Sequence, residues 1–317
     1  MSQITLAAEK DRFRIPIYTA ALLLIGGCAG DGGDYRPTAA GAPSTDVFLG
    51  TLVEADGRLE VADVRNITDR DGYDNQPHFM PDGMSLLYVS ARDSLQTDVF
   101  RYDVSRGATA QITHTASSEY SPTMLPDASG FSAIHEDAAT QHLWRYDLAG
   151  SDRGAIIDDI YPVGYHAWGD ATRVVVFVLG DSVTPQTLQL VDTASDEVTL
   201  VTENPGRSLH KIPGRAALSF VHKMAEGDWA IKELDLASGA VTTLVATLPD
   251  REDYAWMPDG SIIMGDGSVL LRWVPGGEWS EVADLADQGL DGISRIAVSR
   301  AGDRIAIVGI RAAPGGA

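Results

Sequence analysis

"QPHFMPDGMSLLYVS", Gln76 to Ser90, decides the fold because it recurs along the chain. It returns as "SPTMLPDASGFSAIH" from Ser121 and as "DYAWMPDGSIIMGDG" from Asp253. Looser copies are "GYHAWGDATRVVVFV" from Gly164, "SLHKIPGRAALSFVH" from Ser208 and "RIAVSRAGDRIAIVG" from Arg295. Each copy carries its own turn. In Pro81-Asp82-Gly83, Pro fixes φ, Asp bonds nearby backbone and Gly accepts a positive φ. Residues around His78 to Met80 therefore read as one short strand, and "SLLYVS" as the β-rich strand that returns from it.

A second signature follows each copy except the last: "TDVFRYDV" at Thr97, "QHLWRYDL" at Gln141, "QTLQLVDT" at Gln186, "DWAIKELD" at Asp228 and "SVLLRWVP" at Ser268. Apolar and polar residues alternate in it, as in a half-buried third strand. Its acidic position recurs at Asp103, Asp147, Asp192 and Asp235, at intervals of 44, 45 and 43 residues, close to the period of propeller blades. A turn at Ser105-Arg106-Gly107 then leads to "TAQIT", a short outer strand. A four-stranded unit of this kind has two faces to bury, and radial stacking covers both.

The last copy supplies only two strands, Arg295 to Val298 and Arg304 to Val308. "TDVF" at Thr45, a second occurrence of the tetrapeptide at Thr97, provides the missing third, and "GRLEVADVRNIT" the fourth. The expected fold is thus all-β: a six-bladed propeller, four antiparallel strands per blade, with the last blade built from both chain ends. Closure removes the exposed edges of an open array. Trp144, Trp168, Trp229, Trp256 and Trp273 fall in strands of the repeat and are expected to pack between blades.

With 32 Gly and 15 Pro in 317 residues the chain is turn-rich. Its net charge of −21 opposes nucleic acid and anionic lipid surfaces and suits solubility or a basic partner. At the start, Lys10, Arg12 and Arg14 precede an apolar run from Ile15 to Ile25 that is short for a membrane span. Residues 1–27 read as an export signal. Without them the chain holds 21 basic and 43 acidic residues, so the acidity belongs to the exported part. Residues 28–44 lack periodicity and read as a flexible tether, residues 45–310 as the propeller and residues 311–317 as a disordered tail.

Ile25-Gly26-Gly27-Cys28 resembles a bacterial lipobox. That resemblance implies cleavage before Cys28, lipidation of its thiol and, since Ala29 rather than Asp follows, an outer-membrane lipoprotein facing the periplasm or the cell surface. The membrane would be met through the lipid anchor only. The pattern Pro-x-aromatic-x-Pro-Asp-Gly, an apolar strand, Asp-Val/Ile-Phe/Tyr-x-x-Asp and a final Leu/Ile-Thr resembles the TolB-like propeller repeat over nearly all of residues 45–310. TolB itself carries an additional N-terminal α/β domain, whereas 16 residues separate Cys28 from Thr45 here. Prolyl-oligopeptidase-type relatives add a hydrolase domain with a Gly-x-Ser-x-Gly elbow, a motif that this sequence does not contain.

His78, His166 and His210 share one repeat position, read as the start of the innermost strand and hence near one mouth of the central channel. Neutral imidazoles there could bind a divalent metal, an arrangement similar to the His-rich site of oligogalacturonate lyases. Against this, there is no His-x-His pair, and Thr123 and Ala255 occupy the same position in two other copies. The alternative is inter-blade histidines bonded to backbone. Glu119, Tyr120, Glu252 and Asp253 are expected to form a polar, acidic rim at that mouth, suited to a basic partner. "DRDGYDN" places Asp69, Asp71 and Asp74 beside Gly72, reminiscent of a calcium loop but without a twelfth-position Glu; a solvated acidic turn is the simpler reading. No catalytic residue and no cofactor is implied. The expectation is a monomeric, non-catalytic binding or scaffold protein of the envelope, holding an envelope protein or small ligand. The alternative is a metal-dependent lyase or hydrolase acting on carbohydrate through the three histidines.

Overall fold

A computed structural model of the protein describes residues 44–311, apart from 56, 93–95, 138 and 139. The leader, Cys28, the tether and the tail after Arg311 lie outside the described residues. The described chain is all-β, a six-bladed propeller of four-stranded antiparallel blades. The strands run in chain order from β1 (Asp46–Ala55) and β2 (Arg58–Asn66) to a first complete blade of β3 (Tyr73–Phe79), β4 (Ser85–Ala91), β5 (Asp98–Asp103) and β6 (Ala108–Gln111). The second blade is β7 (Ser118–Met124), β8 (Gly130–Asp137), β9 (Thr140–Asp147) and β10 (Asp152–Ala155); the third is β11 (Val163–Trp168), β12 (Arg173–Val178), β13 (Thr187–Asp192) and β14 (Glu197–Glu203). The fourth is β15 (Pro205–Lys211), β16 (Ala217–Ala225), β17 (Asp228–Asp235) and β18 (Val241–Ala246), and the fifth β19 (Tyr254–Trp256), β20 (Ile262–Asp266), β21 (Val269–Trp273) and β22 (Ser280–Asp284).

The sixth blade joins both ends of the described chain. β23 (Leu290–Val298) is innermost, followed by β24 (Arg304–Arg311), β1 and β2. Phe48 of β1 stands opposite Ile307 of β24, and Val47 opposite Val308. A single 3₁₀ turn, Ala286–Gln288, precedes β23. Among the described residues no helix is long and apolar enough to cross a membrane.

Six apolar clusters hold the ring, one at each seam between neighbouring blades. Leu87, Val89 and Val99 of the first blade pack on Met124, Phe131 and Tyr146 of the second. Val221 and Ile231 of the fourth meet Tyr254, Met264 and Trp273 of the fifth. The seam between sixth and first blades is built the same way, from Val47, Leu49 and Val308 against Phe79, Leu86 and Tyr88. The ring therefore closes by the same burial of apolar surface that joins every other pair of blades.

The recurring aspartates are turn residues. Asp82 Oδ1 accepts the N–H groups of Met84 and Ser85, Asp103 those of Ser105 and Arg106, and Asp235 those of Ala237 and Ser238. At Asp103 and Asp235 the serine hydroxyl bond leads the effects that hold the carboxyl below its ordinary range. Part of the chain's acidity is thus spent on its hairpins.

Candidate functional site

The innermost strands begin several residues earlier than the sequence suggests, so His78 and His210 lie next to last in β3 and β15, and His166 is fourth of six residues in β11. They stand where the innermost strands finish and the Pro-Asp-Gly-type turns begin. At that end the ring opens into a cavity of about 400 Å³ lined by five of the six blades. Its wall includes Pro77, Pro122, Pro126, Met124, Tyr165, Trp168, Leu209 and Ile296, and its polar groups include Gln76, Ser121, the three histidines, Arg207 and Arg295.

The structure brings the three histidines into this one cavity. Burial pushes His78 down to about 4; it pushes His166 down to about 3, with the nearby His78 adding to the effect. His210 is also lowered to about 4, by burial first, with Asp253 opposing and His78 and Arg295 assisting. All three are neutral imidazoles at pH 7. Their bonds are to side chains rather than to the backbone alone: His166 Nε2 lies 2.7 Å from Ser132 Oγ across the seam, and His210 Nε2 lies 3.0 Å from Ser208 Oγ. Ser132 also accepts the Trp168 indole N–H at 2.9 Å, and Ser219 accepts that of Trp256 at 2.8 Å, so one inter-blade link is used twice. His166 is 5% exposed and its Nδ1 has no hydrogen-bond partner among the described residues. Among the described residues no group of three or more His, Cys, Asp or Glu side chains could hold a metal ion.

The expected acidic rim is not assembled, because each of its carboxylates finds an internal partner. Glu119 is buried in the seam between the first and second blades and Tyr120 in the seam between the second and third, and neither lines the cavity. Glu119 Oε2 accepts the Thr113 hydroxyl at 2.8 Å; Oε1 accepts those of Thr115 and, at 3.3 Å, Tyr146. His135 Nδ1 lies 3.7 Å away. Burial without a fixed cation pushes the Glu119 carboxyl up to about 7, although the threonine bonds work the other way. Tyr120 packs with Ile134, Leu143 and Val163.

Glu252 and Asp253 sit behind the cavity floor. Arg207 Nε and Nη2 donate to Asp253 at 3.2 and 2.5 Å, Arg295 Nη1 also donates to Asp253, and Lys223 Nζ lies 3.0 Å from Glu252. Burial raises the Asp253 carboxyl, but the two guanidinium groups outweigh it and hold the carboxyl below the ordinary range. The Asp69–Asp74 turn is not a cation loop either. The Arg70 guanidinium fills it, with Nε 3.0 Å from the fully buried Asp74 and Nη1 donating to the Asp71 carbonyl at 2.7 Å.

Arg207, Arg295 and Tyr165 escaped the sequence reading. The signal for one of them was available: Gln76, Ser121, Ser208, Asp253 and Arg295 stand two places before the histidine position in their copies. Opposite charges in adjacent copies of an inner-ring position imply an ion pair around the channel. Gln76 and Ser121 use the same ring differently. Both adopt left-handed backbone, with φ of 54° and 53°, and the Ser121 N–H donates to Gln76 Oε1 at 2.7 Å.

No protein-family model matches the chain, and no curated protein matches it. Solved structures do. A putative TolB from Agrobacterium tumefaciens is similar over 86% of this chain and 100% of its own, with 15% identity and a TM-score of 0.64. A putative gluconolactonase covers 77% of this chain and 91% of its own at 10% identity, TM-score 0.57. TolB from Acinetobacter baumannii covers 84% of this chain and 64% of its own at 14% identity, TM-score 0.53. The structural neighbours thus include TolB-like propellers, and at these identities the likeness is one of fold.

Proposed function

We propose that this propeller is a non-catalytic binding module of the cell envelope, exported and held by a lipid on Cys28, that seats a ligand or a segment of a partner protein in the cavity at the end of its innermost strands. The observation that carries this reading is the cavity itself. It is concave and walled by proline, aromatic and aliphatic side chains, with a few placed polar groups, which is the make-up of a ligand site. Its likeness in fold to two TolB proteins supports an envelope setting.

A second reading, a metal-dependent lyase or hydrolase acting on carbohydrate, draws on the convergence of His78, His166 and His210 as neutral bases. Against it, among the described residues no group of three or more His, Cys, Asp or Glu side chains could hold a metal ion. Metal analysis of the purified protein separates the two: one equivalent of manganese or zinc, lost in His166→Ala, favours the enzyme.

For the binding reading, a photo-crosslinking residue is placed at Thr123, in the cavity wall, and in a second strain at Val198, exposed on the outer strand β14. In intact envelopes the Thr123 probe is expected to capture a discrete partner that the Val198 probe does not. Identical products from both positions would count against the cavity as the binding site.

A further inference from the structure

We infer that the cavity takes ligands bearing a single carboxylate and that Arg295 is the residue that reads it, an assignment that rests on the cavity being the binding site. The charge count at the floor comes first. Arg207, Arg295 and Lys223 form ion pairs with two carboxylates, Asp253 and Glu252. Three cations against two anions leave one positive charge in excess, inside a chain of net charge −21. In a partly desolvated cavity such a charge acts far more strongly than the same charge on the surface.

The excess is presented by Arg295. Lys223 is engaged by Glu252 and lies 4.3 Å from the centre of the Trp229 ring, away from the cavity lining. Arg207 clasps Asp253 with two nitrogens. Arg295 commits only Nη1, to Asp253 and to the Ser294 carbonyl; among the described residues its Nε and Nη2 have no hydrogen-bond partner. Its side chain is 17% exposed, lines the cavity and is set beside the Tyr165 ring, 5.3 Å from the ring centre. The Nε–H and Nη2–H edge of a guanidinium is a planar fork that a carboxylate fills with two parallel bonds.

Pro77, Pro122, Trp168 and Leu209 supply apolar surface for the rest of the ligand. At about 400 Å³ the cavity is at the small end of the range for ligand pockets. It suits a small organic acid with an apolar body or the C-terminal residue of an extended peptide, which share the carboxylate. A phosphate, with between one and two negative charges at neutral pH, overcompensates the single excess charge as the dianion and leaves the apolar wall uncovered.

The test compares N-acetyl-leucine with N-acetyl-leucine amide, titrated by calorimetry into the purified full chain, with inorganic phosphate as competitor. The acid is expected to bind about tenfold more tightly than the amide, and phosphate is expected to compete poorly. Arg295→Gln should abolish the preference. The double variant Arg295→Gln with Asp253→Asn keeps the floor's charge balance and should abolish it too, with an unchanged circular dichroism spectrum. Acid and amide binding equally would overturn the carboxylate assignment while leaving the cavity a binding site. So would phosphate competing as well as the acid, or a preference that survives in the folded double variant. Binding of neither compound also overturns the assignment, and the binding reading then rests on capture at Thr123.

Discussion

Two buried carboxylates of this ring, Glu119 and Asp253, are of nearly the same chemistry and have opposite fates. Glu119 is fully buried in the first seam among hydroxyls of Thr113, Thr115 and Tyr146 with a neutral imidazole nearby, and its carboxyl is raised to about 7. Asp253 lies behind the floor of the cavity between Arg207 and Arg295 and is held ionised. Burial acts on both in the same direction, so what separates them is a fixed cation at contact distance. The seam holds a carboxyl that titrates near neutrality, whereas the floor keeps permanent charge and, among the described residues, leaves Nε and Nη2 of Arg295 without a hydrogen-bond partner.

The comparison breaks most forcefully at Arg207. Arg207→Met takes the larger share of the clasp from Asp253 and is expected to cost about 3–5 kcal/mol, measured by urea unfolding at pH 7; a loss under 1 kcal/mol would mean that Arg295 alone suffices. Glu119→Gln tests the other side. Because the folded carboxyl titrates near 7 and the unfolded one near 4.5, the folded state binds more protons between those values. The contribution is fully present below about 4.5 and is lost as pH rises to about 7. Relative to the unaltered chain, the glutamine variant should therefore gain about 3 kcal/mol between pH 4.5 and pH 8. A pH-independent difference would show that Glu119 is ionised in the fold.

The cavity histidines have the opposite sign. Their folded values near 3 to 4 lie below the ordinary imidazole value, so the unfolded state takes up protons first. Stability is present above about 6.5 and falls as pH drops through 4. At pH 4.5 the acid-induced loss should be smaller in His166→Gln by about 2 kcal/mol, read from urea midpoints at pH 4.5 and 7. An equal loss in both chains would place a proton on folded His166. The smallest effect is expected from Trp168→Phe, about 1 kcal/mol for the N–H bond to Ser132. A larger loss would measure the indole's packing in its seam cluster in addition to that bond.

The repeat made the fold legible because turn chemistry and strand alternation are local properties. Pro81-Asp82-Gly83 and its copies specify a hairpin wherever they occur, and the incomplete last copy, set beside the orphan strand at Thr45, specified closure. The shared position of the histidines was legible for the same reason, and the structure places all three in one cavity. The partners of charged groups were not legible. Asp253 meets Arg207 and Arg295 from 46 and 42 residues away, and Arg70 reaches back over Asp74 and Ser90. Reading Glu119, Glu252 and Asp253 as an exposed rim counted their charge without those partners. The residue that now matters most in the cavity, Arg295, stood in the sequence as the first residue of a degraded repeat.

An occupant that enters at the end of the innermost strands and reads the charged floor has no contact with the Glu119 seam. Capture by the Thr123 photo-crosslinker in intact envelopes, compared among the unaltered chain, Arg295→Gln and Glu119→Gln, tests it most directly. Capture should be lost in Arg295→Gln and retained in Glu119→Gln. Capture that persists in Arg295→Gln, or that fails equally in both folded variants, would contradict it.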